Sequence, residues 1–182
     1  GTAVITASLG GVEAQGSMTI NTVGGFDVAP TPTRNPNDVI SLFSDSYTNV
    51  PVDFFNGYWE PFQTTLSNDF VVNGNNMINY TNFNFVGNQF SNPTVDATDF
   101  PNLHININLP EVPSNLDLLI TLKDFGADGV DGGTDDTTQQ VFFNGSDFVA
   151  GEWSTLEIPI SLANKNNMGQ IIYENVNGSS LT

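Results

Sequence analysis

Among the residues able to do chemistry, the densest group lies in Leu122 to Thr137, LKDFGADGVDGGTDDT, where five aspartates (Asp124, Asp128, Asp131, Asp135 and Asp136) and four glycines share sixteen positions. Neighbouring carboxylates repel by roughly 1 kcal/mol per pair even in water, so a folded loop needs a cation or full solvation. Two readings follow. Either the five aspartates hold a hard, oxygen-seeking ion such as Ca²⁺, with the glycines allowing turns that aim oxygens inward, or the stretch is a solvated acidic turn between strands. The spacing is not that of an EF-hand loop, whose ligands alternate around a fixed glycine.

A second group is aromatic. Phe54 to Phe62, FFNGYWEPF, puts five rings into nine residues around a turn-prone Asn-Gly. Flat rings match the C–H face of a pyranose, while nearby amides and carboxylates reach its hydroxyls. Tyr58 and Trp59, whose polar handles suit a wet edge, are the platform candidates, and Phe54 and Phe62 are expected in the core. His104, the sole histidine, shares a strand face with Asn106 and Asn108, where it can hydrogen-bond a sugar hydroxyl if that face meets ligand. Trp153 is out of phase with Leu156, Ile158 and Ile160, so it either covers a sheet edge or joins a ligand surface.

Catalysis has little material. No cysteine is present to act as a nucleophile or thiolate ligand. The serine elbow, P-loop, H-E-x-x-H and dinucleotide fingerprints are missing, and nothing singles out a glycosidase pair among the many carboxylates. The chain is expected not to be an enzyme. Its 20 acidic residues face only Arg34, Lys123 and Lys165, a formal charge of −17 that repels nucleic acid and anionic membranes. No apolar run reaches membrane-spanning length, and the start at Gly1 reads as a piece of a longer, processed or trimmed protein.

The elements that must carry these groups are strands. At 182 residues the chain can bury roughly 70% of its unfolded surface, and its abundance of Asn, Thr, Ser and Gly favours β-structure and turns. Ala3 to Ser8 and Gln15 to Asn21 alternate around Gly10-Gly11, which predicts a hairpin. Gly24 to Asn37, rich in Pro, Thr and Gly, reads as a linker. Beyond it, strands are expected over 38–43, 69–72, 77–85, 103–109, 116–123, 139–143, 154–160 and 170–174, a spacing that predicts an all-β sandwich of the jelly-roll kind. The domain plan is therefore 1–23, a terminal strand pair; 24–37, a linker; and 38–182, the sandwich.

Two resemblances add to this reading. GTAVITASLGGVEAQGSMTI resembles the last two strands of a bacterial Ig-like domain of the group-2 type. DVISLFSDSYTNVPVDFFNGYW, INYTNFNFVGNQF, LKDFGADGVDGGTDDT and GEWSTLEIPIS follow one another as in carbohydrate-binding-type jelly-roll modules of secreted, multimodular bacterial proteins. That resemblance implies an extracellular or cell-surface location, a polysaccharide ligand and neighbouring modules in the same polypeptide; the chain's acidity narrows the ligand to a neutral or weakly charged one, such as a β-glucan. The resemblance also implies a closing strand after residues 170–182 that this sequence does not show. An incomplete sandwich and a spare strand pair fit a second function, a filament or adhesin-stalk subunit linked to other copies by β-strand exchange. The first expectation is a non-catalytic, calcium-stabilised polysaccharide-binding module contacting sugar through Tyr58, Trp59, His104 and Trp153.

Overall fold

The computed structural model describes residues 2–9, 12–19, 27–177 and 181. Among them β1 (Thr2–Leu9) and β2 (Val12–Thr19) form the expected hairpin, Thr2 opposite Thr19, and pair with no other strand. The remaining strands are β3 (Leu66–Val72), β4 (Asn75–Thr81), β5 (Phe85–Gln89), β6 (Asn102–Asn108), β7 (Asp117–Asp124), β8 (Thr137–Asn144), β9 (Trp153–Pro159) and β10 (Met168–Asn175). Every ladder between them is antiparallel. The only helical elements among the described residues are two three-residue 3₁₀ turns, and none is long and apolar enough to cross a membrane.

The fold is an all-β sandwich. One layer is a four-stranded sheet in the order β5-β10-β7-β8. Its inward residues, Val86, Ile171, Leu118, Ile120 and Leu122, meet Leu156 and Ile158 of β9, in the opposing layer, in a single apolar cluster. Each such side chain taken out of water stabilises the fold by roughly 1.5–3 kcal/mol. The opposing layer consists of two separate ladders, β6-β9 and β3-β4. The β3-β4 turn is built by Asn73 and Gly74, both at positive φ (51° and 82°), the two-residue geometry that matches strand twist.

Three expectations need correction. No strand forms over 38–43; Pro36–Asp38 instead makes a 3₁₀ turn capped by the Asn35 side chain, and Ser41 makes only an isolated bridge to Asn49. The run 77–85 is broken because Asn82 takes a left-handed conformation (φ 50°), ending β4 at Thr81 and sending β5 into the other layer. The described part of the proposed linker does not hang free. The Asp27 carbonyl accepts from Trp153 Nε1 at 2.8 Å, and Arg34 donates to Glu157 at 3.0 Å, so this stretch lies against β9.

Candidate functional site

Since Val86, Ile171 and Ile120 point inward, strict alternation turns their neighbours outward. In register, one outward row runs Phe85, Glu174, Leu119, Phe142 across all four strands, and the next runs Gly87, Ile172, Thr121, Gln140. Trp59 lies on this face. A Cβ placed on Gly87 would sit 2.1 Å from the indole, so the ring occupies the space that any other residue at 87 would need. The indole stacks on Phe85 with centroids 5.9 Å apart and planes 20° from parallel.

The loop that carries Trp59 is organised by a buried amide. Gln63 is 2% exposed; its Oε1 accepts from Trp59 N–H and its Nε2 donates to Asn56 Oδ1 and the Thr65 carbonyl. Asn56 Oδ1 also accepts from Tyr58 N–H at 3.1 Å, and the Thr65 hydroxyl bonds both the side chain and the N–H of Asn84. A fully paired polar network of this kind holds its loop in one arrangement before a ligand arrives. Tyr58, beside Trp59, is 44% exposed and sits at φ 30°, a conformation that costs a non-glycine residue on the order of 1–3 kcal/mol. Phe62 is not core. It is 76% exposed, because the turn that bonds the Phe62 and Gln63 N–H groups to the Trp59 carbonyl gives the buried position to Gln63.

His104 and Trp153 do not join Tyr58 and Trp59. They lie on the outward face of β6-β9, across the core from the Trp59 face. His104 Nδ1 is 2.7 Å from Glu157 Oε1, which also accepts from Arg34. The His104 hydrogen bond, then Arg34, holds the Glu157 carboxyl below its ordinary value. Trp153 spends its N–H on Asp27, which supports the edge-covering reading of that ring.

The acidic loop is compensated largely from within. Asp124, wholly buried, accepts from Gly126 and Asn167 N–H groups; Asp128 accepts from Val130 and Asp135 from Ala127. Asp131 and Asp136 do come together, on the Lys123 ammonium. Burial works against that charge, yet hydrogen bonds and attraction from the two carboxylates outweigh it and raise the Lys123 pKa. The Gly132 N–H, then Lys123, depresses that of Asp136. The five aspartates therefore do not converge, and among the described residues no group of three or more His, Asp or Glu side chains is placed to hold a metal. Asp136 Oδ1 and Thr137 Oγ1 are buried without a partner.

Reading the sequence by motif missed Phe85, Gly87, Ile172 and Phe142 on the outward face. The signal was available in β7, where LLITL is apolar in both phases, the mark of a strand whose two faces are both covered. No family model matches this chain, and neither does any curated protein or solved structure.

Proposed function

We propose that this chain is a non-catalytic carbohydrate-binding module that holds a neutral polysaccharide, such as a β-glucan, against the outward face of the four-stranded sheet, at the cell surface or outside the cell. One observation carries the reading. This outward face carries aromatic rings at both sides of a buried middle: Trp59 stacked on Phe85 at one side and, three strands away, Phe142 at 57% exposure, with Leu119 between them at 7%. At roughly 4.8 Å per strand the two phenylalanine backbones are about 14 Å apart, a span that takes more than one sugar ring. Gln140, exposed on the same face, supplies a donor and an acceptor. The net charge of −17 disfavours sulfated or uronate-rich chains. Calcium has at most a structural place in this reading, at Asp136 Oδ1 and Thr137 Oγ1, and no ligand contact runs through it.

Affinity electrophoresis in gels containing soluble β-glucan tests the reading. The chain is retarded, Trp59→Ala and Phe142→Ala each weaken retardation about tenfold without a collapse of Tm, and His104→Ala leaves it unchanged. If a panel of neutral polysaccharides retards neither the chain nor its variants, the reading fails.

A further inference from the structure

Each strand of the opposing layer is paired on one side only, and two of the unpaired edges, those of β6 and β4, border one groove. β6 is bonded to β9 on one side and β4 to β3 on one side; among the described residues neither second edge carries a ladder. Between them lies a groove of about 1140 Å³. All seven residues of β4 and all seven of β6 line it, from both faces, as happens when a groove runs along a strand's edge. Its floor is the inward face of the four-stranded sheet at Leu118, Leu122, Ile171 and Tyr173. A strand in a sandwich fills about 3.3 Å by 4.8 Å by 10 Å per residue, roughly 160 Å³, so the groove takes about seven residues.

Exposed edges are usually blunted by charge, yet β4 (NNMINYT) and β6 (NLHININ) contain no Asp, Glu, Lys or Arg in a chain with 20 acidic residues. One carboxylate does reach the start of β4, where Asp45 accepts from the Asn76 N–H and its side-chain amide. Just past β4, Leu181 exchanges both backbone hydrogen bonds with Phe83 (2.9 and 3.0 Å) in an isolated antiparallel bridge.

We propose that this groove accepts a β-strand and that its occupant is β1 of a second copy of this chain. β1 is eight residues long and uncharged, so it enters without adding to the repulsion between two strongly acidic bodies. In sequence it places Ala3, Ile5, Ala7 and Leu9 at every second position, as a strand half-facing a core requires. Among the described residues it belongs to a hairpin that pairs with no strand of the sandwich, and a lone hairpin is marginal in water. The contact joins unlike surfaces, so repeating it gives an open, head-to-tail filament. This inference stands apart from the glycan-binding face, which lies on the other layer.

Light scattering across a concentration series tests it, together with a chain lacking residues 1–11 and a fluorescent peptide of residues 1–9. The intact chain forms concentration-dependent polymers, Ile5→Asp abolishes them, and the shortened chain is a monomer that binds the peptide. A monomeric intact chain whose shortened form ignores the peptide overturns the proposal. Strong amide-exchange protection of residues 2–9 in a monomer also overturns it, placing β1 in its own groove. Peptide binding lost when further native polypeptide follows Thr182 overturns it as well, since that segment then supplies the strand.

Discussion

β7 and β6 start from the same physical instruction and reach different ends. Both carry a branched or leucine residue at every second position, and in both that face turns toward the core. In β7, which has a strand on each side, Leu118, Ile120 and Leu122 are 4%, 0% and 1% exposed. In β6, bonded on one side only, Leu103, Ile105 and Ile107 are only half-buried, although Leu156 and Ile158 of its partner β9 are buried. β9 is also bonded on one side only, so alternation decides which way a strand faces, and what packs over that face decides how completely it leaves water: core side chains over β9, the open groove beside β6.

The widest test of this contrast is energetic. Ile120→Ala opens a cavity in a closed layer and is expected to cost about 2–5 kcal/mol in urea unfolding. Ile105→Ala removes a side chain that water already reaches, and is expected to cost about 1 kcal/mol in the monomer. Equal costs would mean that the groove beside β6 is closed in solution.

A smaller effect contrasts the acidic loop with the rest of the negative surface. Here one buried-side cation, Lys123, serves two carboxylates, while most other acids are turned to water. Lys123→Met is expected to lower Tm, because Asp131 and Asp136 then face each other with no cation between them. Millimolar Ca²⁺ is expected to restore part of that loss and to raise the Tm of the variant more than that of the parent chain. An equal rise in both would place a calcium ion beside Lys123 and revive the loop as a metal site in its own right.

The strands were legible because their signal is local. Alternation in residues 103–109 and 154–160 needs only neighbours along the chain, and β6 and β9 follow from it. The candidate site was legible only in part. The aromatic loop gave Tyr58 and Trp59, but its pairing with Phe85 depends on Gly87 leaving room on a strand more than twenty residues away. His104 and Trp153 were grouped with them on residue type alone, and topology put them on the opposite layer. In the acidic loop, composition counted the charges but not the backbone N–H groups. Gly126, Ala127, Val130, Gly132 and Asn167 each aim one at a carboxylate.

The smallest effect separates exposed charge from paired charge. Asp45, Asp53, Asp96, Asp136 and Glu157 all have folded-state pKa values lowered by hydrogen bonds, the first three chiefly from Asn76, Ser91 and Thr98. A lowered carboxylate pKa means that the folded state prefers the ionised form. Its stabilisation is complete above the ordinary values of 3.8 for Asp and 4.5 for Glu and is lost as pH falls through the lower folded values. Tm is therefore expected to be nearly level between pH 6 and 7 and to drop below about pH 4. Within that drop the Arg34–Glu157 pair has a small share, since its side chains are 60% and 41% exposed and water screens them. Arg34→Ala is expected to cost about 0.5 kcal/mol or less at pH 6, and less as pH falls and Glu157 takes up its proton. A loss that stays the same as pH falls would mean that Arg34 holds residues 27–37 against β9 by packing its stem rather than by its charge.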